Sequence, residues 1–300
     1  MGIAKRVVLF LLLNFLVIAM ISIVLSLFNV RPYLQAYGID YKSLLIFCLI
    51  WGMGGAFISL MLSRKMAKWM MGVQLIDPHT RNSAEAHLVQ TVYSLAREAG
   101  LPEMPEVGIF RSPEPNAFAT GPSRSRSLVA VSTGLLDRMN QNDLKGVLGH
   151  EISHVANGDM VTMTLLQGVV NAFVMFLARV LAYIISGLGK RDERGSYGSF
   201  ILFTYLFEIV FMVLGSLLIC AYSRYREFRA DAGGARLAGK ENMIGALQTL
   251  QSYQNIRDPK TESPAIAAFK ISHPTKKGLL HLFATHPPLE VRIERLRTEV

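Results

Sequence analysis

Three hundred residues with 51% hydrophobic side chains and a mean hydropathy of +0.33 carry more apolar surface than one water-soluble chain of this size can hide. The formal net charge of +9 comes without any basic patch interleaved with aromatics, so the composition excludes a nucleic-acid partner and points to charge bias across a membrane. Cys48 and Cys220 both fall inside or at the edge of apolar runs, which reads as packing or lipid-facing thiols and excludes a disulfide framework.

Taken in chain order, the first element is the apolar run Val7 to Phe28, which as a helix reaches ~33 Å and can cross a hydrocarbon core of about 30 Å. It is longer than the apolar part of a signal peptide and no small-x-small cleavage site follows, so it reads as a retained anchor. A second run, Ser43 to Leu62, contains Gly52, Gly54 and Gly55, which permit close helix contact. Lys5 and Arg6 precede the first run and Arg64, Lys65 and Lys68 follow the second, whereas the intervening loop holds only Arg31, Asp40 and Lys42. The positive-inside rule then predicts that the N-terminus and the chain after residue 64 face the cytoplasm.

A soluble stretch follows. Asn82 to Glu85 has the form of a capping box, the apolar period continues through Leu95, and Gly100 stops it, predicting a helix. Short β-like runs come next at Glu106 to Arg111, Asn116 to Thr120 and Ser127 to Ser132. Asp143 is the expected cap of a further helix that ends near Asn157-Gly158. Two more apolar runs, Met163 to Leu188 and Ser199 to Tyr222, form a second hairpin. Arg179 and Glu208 lie ~12 Å and ~13.5 Å of helix from its turn, so they are expected to pair; a snorkelling arginine beside a protonated glutamate is the alternative. Residues 223–300 are polar and largely helical, with a flexible insertion over 254–277 rich in Pro, Lys, Ser and Thr. The organisation read from these patterns is a transmembrane hairpin (1–63), a first cytoplasmic segment (64–162), a second transmembrane hairpin (163–222) and a second cytoplasmic segment (223–300). Its fold class is an α-helical membrane protein with four transmembrane helices and one α+β soluble domain.

The chemistry sits in His150-Glu151-Ile152-Ser153-His154. Two histidines four apart share a helix face and can reach one Zn²⁺, and Glu151 between them can take a proton from a water on that metal. One zinc per chain needs a third protein ligand and an open position. A third histidine six residues on is ruled out by Met160, and residues 160–191 contain no carboxylate. Asp159 is expected to cap a helix end, and Asp192 and Glu193 fall in the turn on the far side of the membrane. Glu227 stands five residues after Tyr222, and an antiparallel hairpin returns it to the membrane face where His154 lies, so Glu227 is the expected third ligand. A solvated charge among Arg224, Arg226 and Arg229 accounts for it otherwise. Asp231, one turn further on, can accept the spare N–H of a ligand histidine. His79, His87 and His281 are expected at the surface, and His273 lies in the insertion.

The segments Ser223 to Asp231, His150 to Asp159, Asn116 to Gly121 and Thr285 to Ile293, with the four-span layout, resemble the bacterial membrane zinc proteases of peptidase family M48. The resemblance covers nearly the whole chain and is weakest over 254–277. It implies a gluzincin-like zinc endopeptidase in the cytoplasmic (inner) membrane. It also implies that polypeptides, chiefly misfolded or damaged membrane proteins under stress, are the substrates. His286 and Arg292 resemble positions near the zinc in that family, where they can stabilise a developing oxyanion. Arg292 can equally serve to anchor the helix begun by Pro287-Pro288. Asn116, Ala117 and Phe118 resemble the edge strand on which such enzymes hold an extended peptide; a turn asparagine after Pro115 explains Asn116 as well.

Two readings from other classes compete. A catalytically silent membrane scaffold with structural zinc has no use for the non-ligand Glu151. A transporter is opposed by the absence of an inverted repeat and by the large soluble part. Sequence leaves endo- against exopeptidase open.

Overall fold

The computed structural model describes residues 40–187, 193–256 and 278–299. The first apolar run lies outside them, as does the expected insertion beyond Ile256. Two compact units are formed, each from two chain segments: residues up to Ser59 with Thr162–Ile219, and Leu60–Val161 with Cys220 onward.

The first unit is helical. It contains most of α1 (Tyr41–Met71) and α5 (Asp159–Gly187), and the first part of α6 (Glu193–Ala238). All three are long and apolar enough to cross a membrane. Trp51, 67% exposed, and Leu202, 66% exposed, show the apolar surface that only lipid would solvate without cost. Of the three glycines expected to bring helices together, Gly52 alone does so among the described residues. A Cβ there would stand 2.6 Å from the Ala172 backbone nitrogen, whereas one on Gly54 or Gly55 meets nothing within 4 Å among the described residues. Cys48 is a free thiol packed with Phe176 and Val180. Arg179 Nη1 lies 2.6 Å from Glu208 Oε1, the pairing that the depth count predicts, and also donates to the Met175 carbonyl. Joining two charges in a water-poor setting lowers the cost that each would carry alone.

The second unit surrounds a four-stranded mixed sheet in the order β1 (Gln74–Leu75), β2 (Glu106–Phe110), β4 (Arg126–Ser132), β3 (Ala117–Ser123). β2 and β4 are parallel, and β3 runs antiparallel to β4 at the sheet's edge. Helix α2 (Ser83–Glu98) begins at Asn82, whose side chain accepts from the Ala84 and Glu85 amides, and it stops before Gly100 at φ 65°. A short α3 (Thr133–Arg138) follows β4 and leads to α4 (Gln141–Asn157). Asn140, not Asp143, is the N-cap of α4. Its side-chain oxygen accepts from the Asp143 amide while its Nδ2 donates to Asp143 Oδ2, placing Asp143 in the first turn. Helices α7 (Lys240–Ile256) and α8 (Leu289–Glu299) complete the layer, with a 3₁₀ helix at Gly278–Phe283 between them in sequence. Helix α4 packs against α2, α7 and β3. Its buried Val147, Leu148, Ile152 and Val155 join Leu88, Val92, Val129, Leu247 and Ile293 in the main core. Arg64 and Lys68 both pair with Glu106, at 3.3 and 2.8 Å.

A candidate metal centre between three helices

Helix α4 carries His150, Glu151 and His154 into the interior of the second unit, where all three are buried. The helix ends just past them because Gly158 takes φ 72° and its amide closes the last turn on the His154 and Val155 carbonyls. The chain then re-enters a helix at once, and Asp159 opens α5. Asp159 does not act as a plain end-cap. It is 2% exposed, and its Oδ2 lies 2.7 Å from His154 Nδ1. Residue spacing gave a hint of this, since five positions beyond His154 is just over one turn, but a break at Gly158 was needed to swing the carboxylate back.

Helix α6 runs unbroken through Glu227 and Asp231. It approaches α4 closely because Gly233 and Gly234 have no side chains. A Cβ on Gly234 would lie 2.9 Å from the His150 nitrogen, and one on Gly233 would strike Ser153 Oγ. Glu227, fully buried, is thereby delivered to both histidines. Its Oε2 is 3.4 Å from His150 Nε2, its Oε1 is 3.3 Å from His154 Nε2, and the two imidazole nitrogens are 3.1 Å apart.

These separations fit zinc. Tetrahedral coordination at Zn–N and Zn–O distances of about 2.0–2.2 Å puts neighbouring ligand atoms about 3.3 Å apart. Glu227 Oε1 is buried and lacks a properly aligned hydrogen bond among the described residues, as a ligand atom awaiting a metal should. His150, His154 and Glu227 are the group among the described residues whose donor atoms converge within 4.8 Å.

A second ring of charges orients the first. Asp231 Oδ1 lies 2.9 Å from His150 Nδ1, leaving Nε2 to face the centre. Arg292 on α8 is fully buried and grips Asp231 side-on, Nε to Oδ2 at 2.8 Å and Nη2 to Oδ1 at 2.6 Å. Its Nη2 is also 3.9 Å from Glu227 Oε2. His286, on the loop before α8, places Nδ1 2.8 Å from Glu227 Oε2. Glu151 is buried too.

Electrostatics follow this layout. Burial works against ionisation throughout, and it is overcome by partners. Glu227 is held well below the ordinary glutamate range by His286 and the two α4 histidines. Arg292 and His150 hold Asp231 down at about 2. Glu227 and Asp159 raise His154 to about 9, and hydrogen bonds to Asp231 and Glu227 raise His150. Carboxylates and imidazoles in the site thus hold one another charged, with Arg292 as a further cation beside Asp231.

Asn116 and Phe118 are buried, and Ala117 opens the edge strand β3, which lies against α4. The Asn116 amide donates to Ser132 Oγ and its carbonyl accepts from the Ser132 amide, so this backbone is fastened to the end of β4. His79 and His87 are exposed and His281 is half-buried, away from the cluster.

Comparison with known proteins agrees with this architecture. The family profile described as Peptidase family M48 matches residues 82–300. The chain is 51% identical over 295 residues to Protease HtpX of Thioalkalivibrio sulfidiphilus, covering 98% of each chain. It is 52% identical over 303 residues to the Protease HtpX homolog of Bacillus subtilis, covering 99% of this chain and 100% of that relative. Among solved structures it resembles S. mikatae Ste24p, with a TM-score of 0.58 at 16% identity, over 98% of this chain and 67% of the other; that likeness concerns the fold. Apolar helices, a convergent His/His/Glu group and near-full-length relatives lead to one conclusion: the chain belongs to peptidase family M48 and is a membrane metalloprotease.

Proposed function

We propose that the protein is a zinc endopeptidase that cleaves misfolded or damaged membrane proteins as part of stress-response quality control. Its ligands are His150, His154 and Glu227, and its general base is Glu151. The observation that carries this reading is the convergence of one donor atom from each of the three residues within 4.8 Å, the two imidazole nitrogens 3.1 Å apart and one carboxylate oxygen of Glu227 within 3.4 Å of each, with Glu151 buried one residue from a ligand and not used as one.

When bound, zinc supplies Lewis-acid polarisation of a scissile carbonyl and lowers the pKa of a coordinated water towards neutrality. The protein's own residues do the rest. Glu151 accepts the proton of the attacking water and returns it to the leaving amine. Asp231 and Asp159 hold the imidazoles so that each Nε2 faces the centre, and Arg292 fixes Asp231 in turn. His286 keeps the Glu227 carboxylate in place, and we assign it to the side where the developing oxyanion is stabilised. An extended polypeptide is taken up along β3, beside Asn116, Ala117 and Phe118.

The gluzincin-like domain is assembled from residues 64–162 and 223–300, and the hairpins 1–63 and 163–222 supply four membrane spans. Lysines and arginines flanking the first hairpin support a cytoplasmic catalytic domain in the bacterial inner membrane.

The test is detergent-purified protein, chelated and then reloaded with zinc, acting on casein and on a membrane-protein substrate. Glu151→Gln should keep one zinc per chain and lose hydrolysis by about 10²–10⁴-fold. A variant that remains active would remove Glu151 from the chemistry. Loss of the zinc as well would make it a structural residue.

A further inference from the structure

Three consecutive backbone carbonyls near the C-terminal end of the 3₁₀ helix are served by side chains of one turn of α6. Arg224 Nη1 donates to the Leu282 and Ala284 carbonyls at 2.7 and 2.8 Å, and the Cys220 thiol donates to the Phe283 carbonyl between them at 3.4 Å. Carbonyls at a helix end normally turn to water. Where water is scarce they need protein donors, because hydrocarbon offers none.

The location of the donors supplies the reason. Cys220 and Arg224 stand two residues either side of Tyr222, where the apolar run of α6 gives way to Arg224, Arg226 and Glu227. At 1.5 Å per residue they sit within ~3 Å of that boundary along the helix. The turn that they hold is therefore fixed at the same depth. Its sequence, Gly-Leu-Leu-His-Leu-Phe, is apolar apart from His281, and Lys276-Lys277 precede it. Leu282 is 44% exposed.

We propose that the 278–284 turn is an interfacial membrane element: it seats in the boundary between lipid headgroups and acyl chains, with Leu282 towards the chains, and Cys220 and Arg224 pin it there. A cation such as Arg224 beside an apolar turn suits an interface of this kind. The pinned turn leads through Thr285 into His286, so the seat also fixes one end of the segment that reaches Glu227. The proposal rests on α6 crossing the bilayer with its cytoplasmic end near Tyr222.

The experiment uses the full chain with Trp51 and Trp69 replaced by Phe, reconstituted in vesicles of phosphatidylcholine and phosphatidylglycerol whose acyl chains carry bromine either near the carboxyl end or near the methyl end. Single tryptophans are placed at Leu282, at Met212 in the middle of the span and at Val291 on α8. Leu282→Trp should be quenched at least about twofold more by the shallow bromines than by the deep ones. Met212→Trp should show the reverse order, and Val291→Trp should be quenched by neither. If Met212→Trp is quenched by deep bromines while Leu282→Trp behaves like Val291→Trp, the interfacial seat is wrong and the membrane reading stands. If Met212→Trp also escapes quenching, the membrane reading itself fails. His281→Trp serves as a second reporter should Leu282→Trp not fold. Adding Arg224→Ala should cut the quenching of Trp at 282 by at least about half with Met212→Trp unaffected, and Arg224→Lys should restore it. Unchanged quenching at 282 in Arg224→Ala would show that Arg224 does not hold the turn.

Discussion

At the scale of single residues, the proposed zinc site sets protons and metal in competition for the same nitrogens. A ligand imidazole must be neutral, and His154 in the metal-free protein stays protonated up to about pH 9. Zinc affinity should therefore weaken as pH falls from 9 to 6, by about tenfold per pH unit for each proton displaced. Chelator competition on Glu151→Gln at several pH values measures the slope; a flat line would mean that His154 binds zinc without giving up a proton. The metal-free protein behaves oppositely. A histidine pKa raised from 6.5 to about 9 contributes stability that is complete below pH 6.5 and lost as pH rises through 9. Thermal melts of the chelated protein should thus be higher at pH 6 than at pH 9 so far as His154 decides. Asp159 is the residue whose role changes most between sequence and structure. Asp159→Asn keeps the shape but weakens the hold on His154 Nδ1, and should reduce zinc affinity by about 10–100-fold. Metal analysis after dialysis against a graded chelator series checks this, and wild-type retention would leave Asp159 as a helix-start residue only.

At the scale of elements, the site depends on how closely α6 can lie against α4. The pair Gly233-Gly234 makes that possible, and Gly234 stands one turn beyond Asp231. Gly234→Ala must push against His150 backbone atoms at 2.9 and 3.1 Å and against Met243 Sδ at 2.9 Å. We expect about 1–3 kcal/mol of destabilisation, with zinc affinity falling too because Asp231 and Glu227 ride on the same helix. Helical content by circular dichroism should persist. Loss of stability with zinc affinity intact would show that the ligands adjust independently of the helix crossing. A substitution at exposed Gly55, where a Cβ meets nothing within 4 Å among the described residues, is the matched control and should be near neutral.

At the scale of the whole molecule, the apolar half carries its own polar core element in Arg179 and Glu208. Each single change to Leu should destabilise more than the double change, because it strands a charge that its partner had neutralised. Unfolding of the two single variants and the double variant in one detergent gives the coupling, expected at about 1 kcal/mol or more. Additive losses would make the 2.6 Å contact energetically empty. The orientation of the two soluble segments is a separate matter, read from flanking charge. Reporter fusions after residues 68 and 240 should both give cytoplasmic signals; a periplasmic signal from either would break the proposed topology.

Local chemistry was legible in the chain. Helix-period spacing put His150, Glu151 and His154 on one face, an apolar run of membrane length needs no tertiary context to be recognised, and Asn82 and Gly100 bracketed α2 by capping rules that act over one turn. Glu227 and Asp231 could be reached because a hairpin is itself a local rule applied twice. What the sequence left undecided depends on approach between distant segments. Helix capping chemistry alone did not separate Asn140 from Asp143, and the bend at Gly158 was needed to turn Asp159 towards His154. The contact of Arg292 with Asp231 is likewise a product of packing, since only the tertiary structure buries this guanidinium fully and sets its Nε and Nη2 against that carboxylate. The hold of Cys220 and Arg224 on the 282–284 carbonyls spans about sixty residues and no motif announces it. Spacing along a chain fixes only what one element can present; which elements meet, and how closely, is decided by packing, and here two glycines on α6 set that distance.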